Sequence, residues 1–135
     1  MDTAEDYLKR IASLNINRSG ERRAPHKPLL VLVAIGKLLQ GQHELAFDEV
    51  KSALGPLLDA YAPPVKTGRH QPELPYWHLR SDNVWEISNE SLLTFQKAGF
   101  PRKKTLNSSS GHLPEPFREL LLADKSYLNK VIQIL

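Results

Sequence analysis

Cysteine is absent from this 135-residue chain. Structural disulfides, cysteine zinc sites and cysteine nucleophiles are thereby excluded. Long apolar runs are absent too. The longest, Leu29 to Ile35, falls well short of the roughly 20 residues a membrane helix needs. The start, MDTAEDYLKR, is acidic and amphipathic, unlike a signal peptide. These features predict a cytoplasmic protein with no membrane partner. The 7 glycines are scattered between Gly20 and Gly111, so no loop can cradle a phosphate through clustered glycines.

Catalytic signatures are equally scarce. None of the 5 histidines (His26, His43, His70, His78 and His112) falls in a metal-binding pattern. Ser108-Ser109-Ser110-Gly111-His112 places serines beside a histidine. Nucleophile and base usually meet through the fold rather than as sequence neighbours, so this stretch reads as a polar loop. Glu73 and Asp82 are available as carboxylates, but their spacing argues for no nuclease metal site. We expect no catalytic residue, no metal and no cofactor.

What remains is an ordinary globular composition, 41% hydrophobic and 24% charged. One domain spanning 1–135 is expected. The net charge is only +3, but the cations are grouped. Arg18, Arg22, Arg23 and Lys27 fall in RSGERRAPHK, Lys66 and Arg69 precede His70, and Arg102-Lys103-Lys104 form a third cluster. Singly, each reads as a solvated loop. Together they resemble the footprint of a polyanion-binding protein.

Apolar spacing predicts a helix over 3–15, capped by Asp2 or Thr3. A second, buried helix opens at His26-Lys27-Pro28 and ends at Gly41. A short strand is expected over His43 to Phe47, followed by a helix capped by Asp48 that Gly55-Pro56 should kink or divide. Residues 75–87 predict a β-hairpin around Arg80-Ser81-Asp82-Asn83, with Trp77 and Trp85 anchoring it to the core. A short helix capped by Asn89 or Ser91 should run through Phe95 and Lys97. Residues 99–114 read as loop, and Pro116 to Ala123 and Tyr127 to Leu135 as closing helices. The predicted class is α+β, mainly helical, with a winged-helix-like arrangement of helices and a hairpin.

Leu74-Pro75-Tyr76-Trp77 is an apolar, proline-stiffened knob beside Arg69-His70. It belongs to an ordered set: Arg22-Arg23-Ala24-Pro25-His26-Lys27-Pro28-Leu29-Leu30, Phe47-Asp48-Glu49-Val50, Pro72 to Leu79, and Asp82 to Ile87. The set resembles the sulfur-binding domain of type IV, McrA-like restriction endonucleases, across nearly the whole chain. The resemblance implies recognition of double-stranded DNA bearing a backbone phosphorothioate. It places a sulfur pocket on His26, Lys27, Leu74, Pro75 and His78, with Arg23 nearby. The family's usual tyrosine is replaced by Leu74. The resemblance also implies base contacts from a basic loop holding Arg102, Lys103, Lys104 and Thr105, and the basic clusters add Arg18, Arg22, Arg23, Lys66 and Arg69, with His70 and Tyr76 beside the knob, to the expected DNA-binding set.

Family members are often fused to an HNH nuclease. This chain ends on an uncapped Ile134-Leu135, as a domain cut from a longer protein would. Any cleavage is expected in a fused or partner nuclease. Two other readings compete: a winged-helix regulator without sulfur preference, and a protein-interaction module. Oligomeric state is not legible.

Overall fold

The computed structural model describes residues 2–14, 18–19, 22–23, 25–61, 71–97 and 99–135. Helix α1 (Ala4–Leu14) buries Tyr7, Ile11 and Leu14, the stripe its 3.6-residue period predicts. Thr3 caps it reciprocally. Its hydroxyl accepts from Asp6 N–H at 3.2 Å, and the Asp6 carboxylate accepts from Thr3 N–H at 2.9 Å. A two-residue ribbon, β1 (Arg18–Ser19) antiparallel to β2 (Arg22–Arg23), then leads towards α2 (His26–Leu39). Helix α2 buries Leu30, Val31, Ala34, Ile35 and Leu38 and packs against α1.

Strand β3 (Leu45–Ala46) precedes α3 (Phe47–Tyr61), which packs on α2. Ala46 N–H donates to the Glu49 carboxylate at 3.3 Å, so Glu49 reaches back over the helix start. Asp48 lies inside the first turn, not at the expected cap. Pro56 does not divide α3, which runs through it as one helix.

The largest correction lies in residues 73–82. The expected hairpin is instead helix α4 (Glu73–His78) followed by a 3-10 turn, Leu79–Asp82. Pro72 stands at the cap and Pro75 in the first turn. First-turn N–H groups lack intrahelical acceptors anyway, so neither proline costs the helix a hydrogen bond. Asn83 ends the turn at φ 60°.

Strand β4 (Glu86–Ser88) pairs with β5 (Ser110–His112), not with residues 75–79. The expected helix near 89–97 shrinks to a 3-10 turn at Glu90–Leu92. The expected loop over 99–114 contains both α5 (Lys103–Leu106) and β5. The sheet order is β3-β5-β4, antiparallel throughout. Helices α6 (Glu115–Ala123) and α7 (Lys125–Ile134) close the fold as expected, with Asp124 capping α7 through Ser126 and Tyr127 N–H. The class is therefore α+β, mainly helical.

Trp85, Tyr76 and Phe47 form an aromatic spine in the core. Tyr76 meets Phe47 and Trp85 edge-on, with centroids 4.8 and 5.8 Å apart. Gly111 lies directly beneath the Trp85 ring. A Cβ there would stand 2.4 Å from Trp85 Cζ2.

Candidate nucleic-acid interface

Helix α4 divides its side chains between two faces. Glu73, Pro75, Tyr76 and Trp77 turn inward. Leu74, 42% exposed, and His78 point outward one helical turn apart, at i and i+4. The helix thus brings Leu74 and His78 onto one stripe, where a strand would also have placed them on one side. Pro75 is buried beside that stripe.

Helix α2 packs against α4. Its first turn carries His26 and Lys27, both half-buried, and no acidic residue. Pro25 occupies the cap without a side-chain hydrogen bond. A helix start concentrates partial positive charge, which favours an anion. The five predicted pocket residues thus lie on two elements in contact, α2 and α4.

Lys27 has a specific partner that the sequence did not disclose. Its Nζ lies 2.7 Å from Asp82 Oδ2, and the two side chains are 22% and 25% exposed. Arg80, basic and adjacent, is engaged elsewhere. Its guanidinium sits 3.4 Å from the centre of the Trp77 ring and pairs with Glu90. Arg80 Nε also donates to Trp77 O at 3.1 Å. It therefore braces the end of α4.

The segment after β4 folds back on α4. Phe95 and Phe100 flank Trp77 at 5.6 and 6.4 Å, and Phe100 lies 6.0 Å from the His78 ring. Phe95 bridges Pro101, and Arg102 N–H donates to Thr94 O at 2.8 Å. Exposed Arg102, Lys103 and Lys104 follow within a few residues of Phe100. Their cluster is thereby tied to the α4 side. Thr105 uses its hydroxyl locally, donating to Arg102 O at 2.9 Å.

Tyr76 cannot meet DNA as expected. It is fully buried, and its hydroxyl lies 2.8 Å from Ser109 Oγ. Burial pushes that hydroxyl up to about 12. Arg18, Arg22 and Arg23 lie on the ribbon that precedes α2, with Arg18 opposite Arg23. Lys66, Arg69 and His70 lie outside the described residues.

A second polar cluster occupies the outer face of the sheet. Glu86 and Ser88 on β4, Ser110 and His112 on β5, and Glu44 just before β3 converge there. His112 Nδ1 lies 3.0 Å from Glu44 Oε1, and His112 Nε2 lies 3.0 Å from Glu86 Oε1. Ser88 and Ser110 donate to Glu44 Oε2. Burial acts to raise the Glu44 carboxyl, but hydrogen bonds from Ser110 and Ser88, together with His112, outweigh it and hold the group below its ordinary value. Ser110 and His112 thus join strands rather than form a loop. Among the described residues, no group of three or more acids and histidines could hold a metal ion. No described helix is long and apolar enough to cross a membrane.

The fold has close counterparts among solved structures. The sulfur-binding domain of ScoMcrA complexed with phosphorothioated DNA matches with a TM-score of 0.81 at 23% identity, over 99% of this chain and 85% of that one. The sulfur-binding domain of SprMcrA complexed with phosphorothioated DNA matches at 0.72 and 24% identity, over 98% and 82%. The type IV phosphorothioation-dependent restriction endonuclease ScoMcrA matches at 0.79 and 23%, over 99% of this chain but 29% of that chain. No curated protein matches this chain. The family model for the ScoMcrA-like DNA sulfur-binding domain matches residues 4–135. The chain belongs to the ScoMcrA-like DNA sulfur-binding domain family.

Proposed function

We propose that this chain reads phosphorothioate-modified double-stranded DNA, the sulfur entering an apolar pocket between the start of α2 and the outer stripe of α4. The observation that carries the reading is the packing of α2, whose first turn carries His26 and Lys27, against the helix that presents Leu74, Pro75 and His78, in a chain of this family. A phosphorothioate keeps the phosphate's negative charge but presents a larger, poorly hydrated atom. Discrimination therefore needs cations for the backbone and an apolar wall for sulfur. An oxygen in the same place loses its hydration without compensation.

The grip on the backbone falls to Arg18, Arg22 and Arg23 on the ribbon and to Arg102, Lys103 and Lys104 around α5. In place of a winged-helix docking by the hairpin over 75–87, the two helices α2 and α4 supply the contact. Lys66, Arg69 and His70 join the DNA-binding set as a basic cluster in the sequence. The chain itself reads and does not cut. Cleavage belongs to a fused or partner nuclease, and the setting is the cytoplasm, where its DNA lies.

Fluorescence anisotropy at moderate salt tests this reading with short duplexes that differ by one Rp phosphorothioate. Tighter binding of the modified duplex by tenfold or more, about 1.4 kcal/mol, is the expected result. Equal binding would leave a DNA binder without sulfur preference, and no salt-dependent binding would point to a protein partner.

A further inference from the structure

We propose that Asp82 sets sulfur specificity by positioning Lys27: it balances the lysine charge and draws the ammonium towards the end of α4, so that an ordinary phosphate gains less from Lys27 than a free lysine would give. The inference rests on the reading above. It starts from one atom. Asp82 Oδ2 is sealed from solvent. Lys27 Nζ, 2.7 Å away, compensates it through charge. Releasing Lys27 would strand a buried carboxylate oxygen, so the pair resists opening.

Position gives the pair its role. Asp82 lies in the 3-10 turn that directly follows α4, and Lys27 lies in the first turn of α2. The lysine stem must therefore cross from one pocket element towards the end of the other. Its methylenes offer apolar surface while the ammonium is drawn to the carboxylate. A phosphate oxygen accepts strongly from an ammonium, whereas sulfur accepts weakly. A free Lys27 would therefore reward oxygen more than sulfur. A tethered Lys27, its charge balanced and its ammonium held by Asp82, rewards oxygen less and costs sulfur little. The pair also cancels a charge that would otherwise attract every phosphate alike.

Three proteins test the idea: wild type, Asp82→Asn, and the double variant Lys27→Met with Asp82→Asn. The double variant removes both charges and so leaves no buried ion unpaired. Each would be titrated by anisotropy with modified and unmodified duplexes at several salt concentrations, and melted to confirm folding. Asp82→Asn should bind the unmodified duplex roughly fivefold tighter or more, the scale of one hydrogen bond to a charged group. Its salt slope should steepen by about 0.9, and its preference for sulfur should fall. The double variant should lose the single variant's gain on the unmodified duplex, and its salt slope should return to the wild-type value.

The proposal is overturned if Asp82→Asn leaves unmodified binding and its slope unchanged, or weakens both duplexes equally. It is also overturned if the double variant keeps the single variant's gain. Should Asp82→Asn fail to melt cooperatively, the double variant decides: a salt slope on the unmodified duplex shallower than wild type by about 0.9 would show that Lys27 engages phosphate despite Asp82 and overturns the proposal, and an unchanged slope supports it. A wild type without sulfur preference would sink the proposed function instead. A Lys27-dependent gain on unmodified DNA would still report the tethering.

Discussion

Two polar clusters on this small domain solve opposite problems. On the sheet, His112 is held between Glu44 and Glu86, and two serines donate to Glu44. Every group there faces another across β3, β5 and β4, and the cluster ties the sheet together. On the α2–α4 side Lys27 pairs with Asp82, while Leu74 and His78 are exposed along α4 and Arg102, Lys103 and Lys104 are exposed after Phe100. The first arrangement consumes its polarity internally. The second leaves apolar and cationic groups facing outward, which is what a backbone reader requires. Histidine, serine and glutamate in proximity therefore point here to architecture, while the proposed site lies on the less chemical-looking side.

The sharpest way to break this contrast is to damage the sheet alone. Gly111→Ala places a methyl against the Trp85 ring and should cost about 1–3 kcal/mol of stability, visible as a lower melting temperature. At a temperature where the variant remains folded, sulfur preference should be retained. Leu74→Asp works in the opposite direction. It should leave the melt nearly unchanged but weaken modified-duplex binding tenfold or more, about 1.4 kcal/mol, with a smaller loss on unmodified DNA.

Glu44→Gln should cost about 1 kcal/mol near neutral pH and leave DNA discrimination intact. Its pH dependence carries a definite sign. The folded Glu44 carboxyl lies below its ordinary 4.5. Its stabilisation is therefore present above that value and lost as pH falls through the folded one. Melts at pH 7 and in acid should accordingly converge for wild type and Glu44→Gln as pH drops. A constant gap would show that the carboxylate's charge is not what matters. The smallest change is expected for Lys103→Ala: stability within about 0.5 kcal/mol, and a salt slope shallower by about 0.9 on both duplexes. A selective loss on the modified duplex would move Lys103 into the pocket.

The sequence made some of this legible and hid the rest for identifiable reasons. Helices α1, α2, α6 and α7 announced themselves because their apolar residues recur at helical spacing, and Thr3 caps the first in plain view. Helix α4 was concealed by its own prolines. Pro72 and Pro75 read as strand punctuation, yet both fall where a helix start needs no N–H. Strand β5 was concealed because its outer residues, Ser110 and His112, serve a polar cluster. Its inner residue is a glycine cleared for Trp85, so no apolar alternation survives. The proposed pocket residues stand out in the sequence only as a family pattern. Nothing in the local sequence ties Lys27 to Asp82, which only the packing of α2 against α4 brings together. Tyr76 was misassigned for the complementary reason: a tyrosine beside exposed Leu74 turns inward on a helix face that strand spacing does not reveal.

The tethered lysine also bears on how such a protein finds its target. Modified linkages compete with a vast excess of ordinary ones, and occupancy depends on the ratio of affinities multiplied by the abundance of competitors. A cation cancelled by its neighbour shortens every visit to the wrong linkage without adding strength to the right one. In a crowded genome, weak binding at common sites keeps more copies available for the rare site, so the carboxylate of Asp82 would serve the search as well as the final grip.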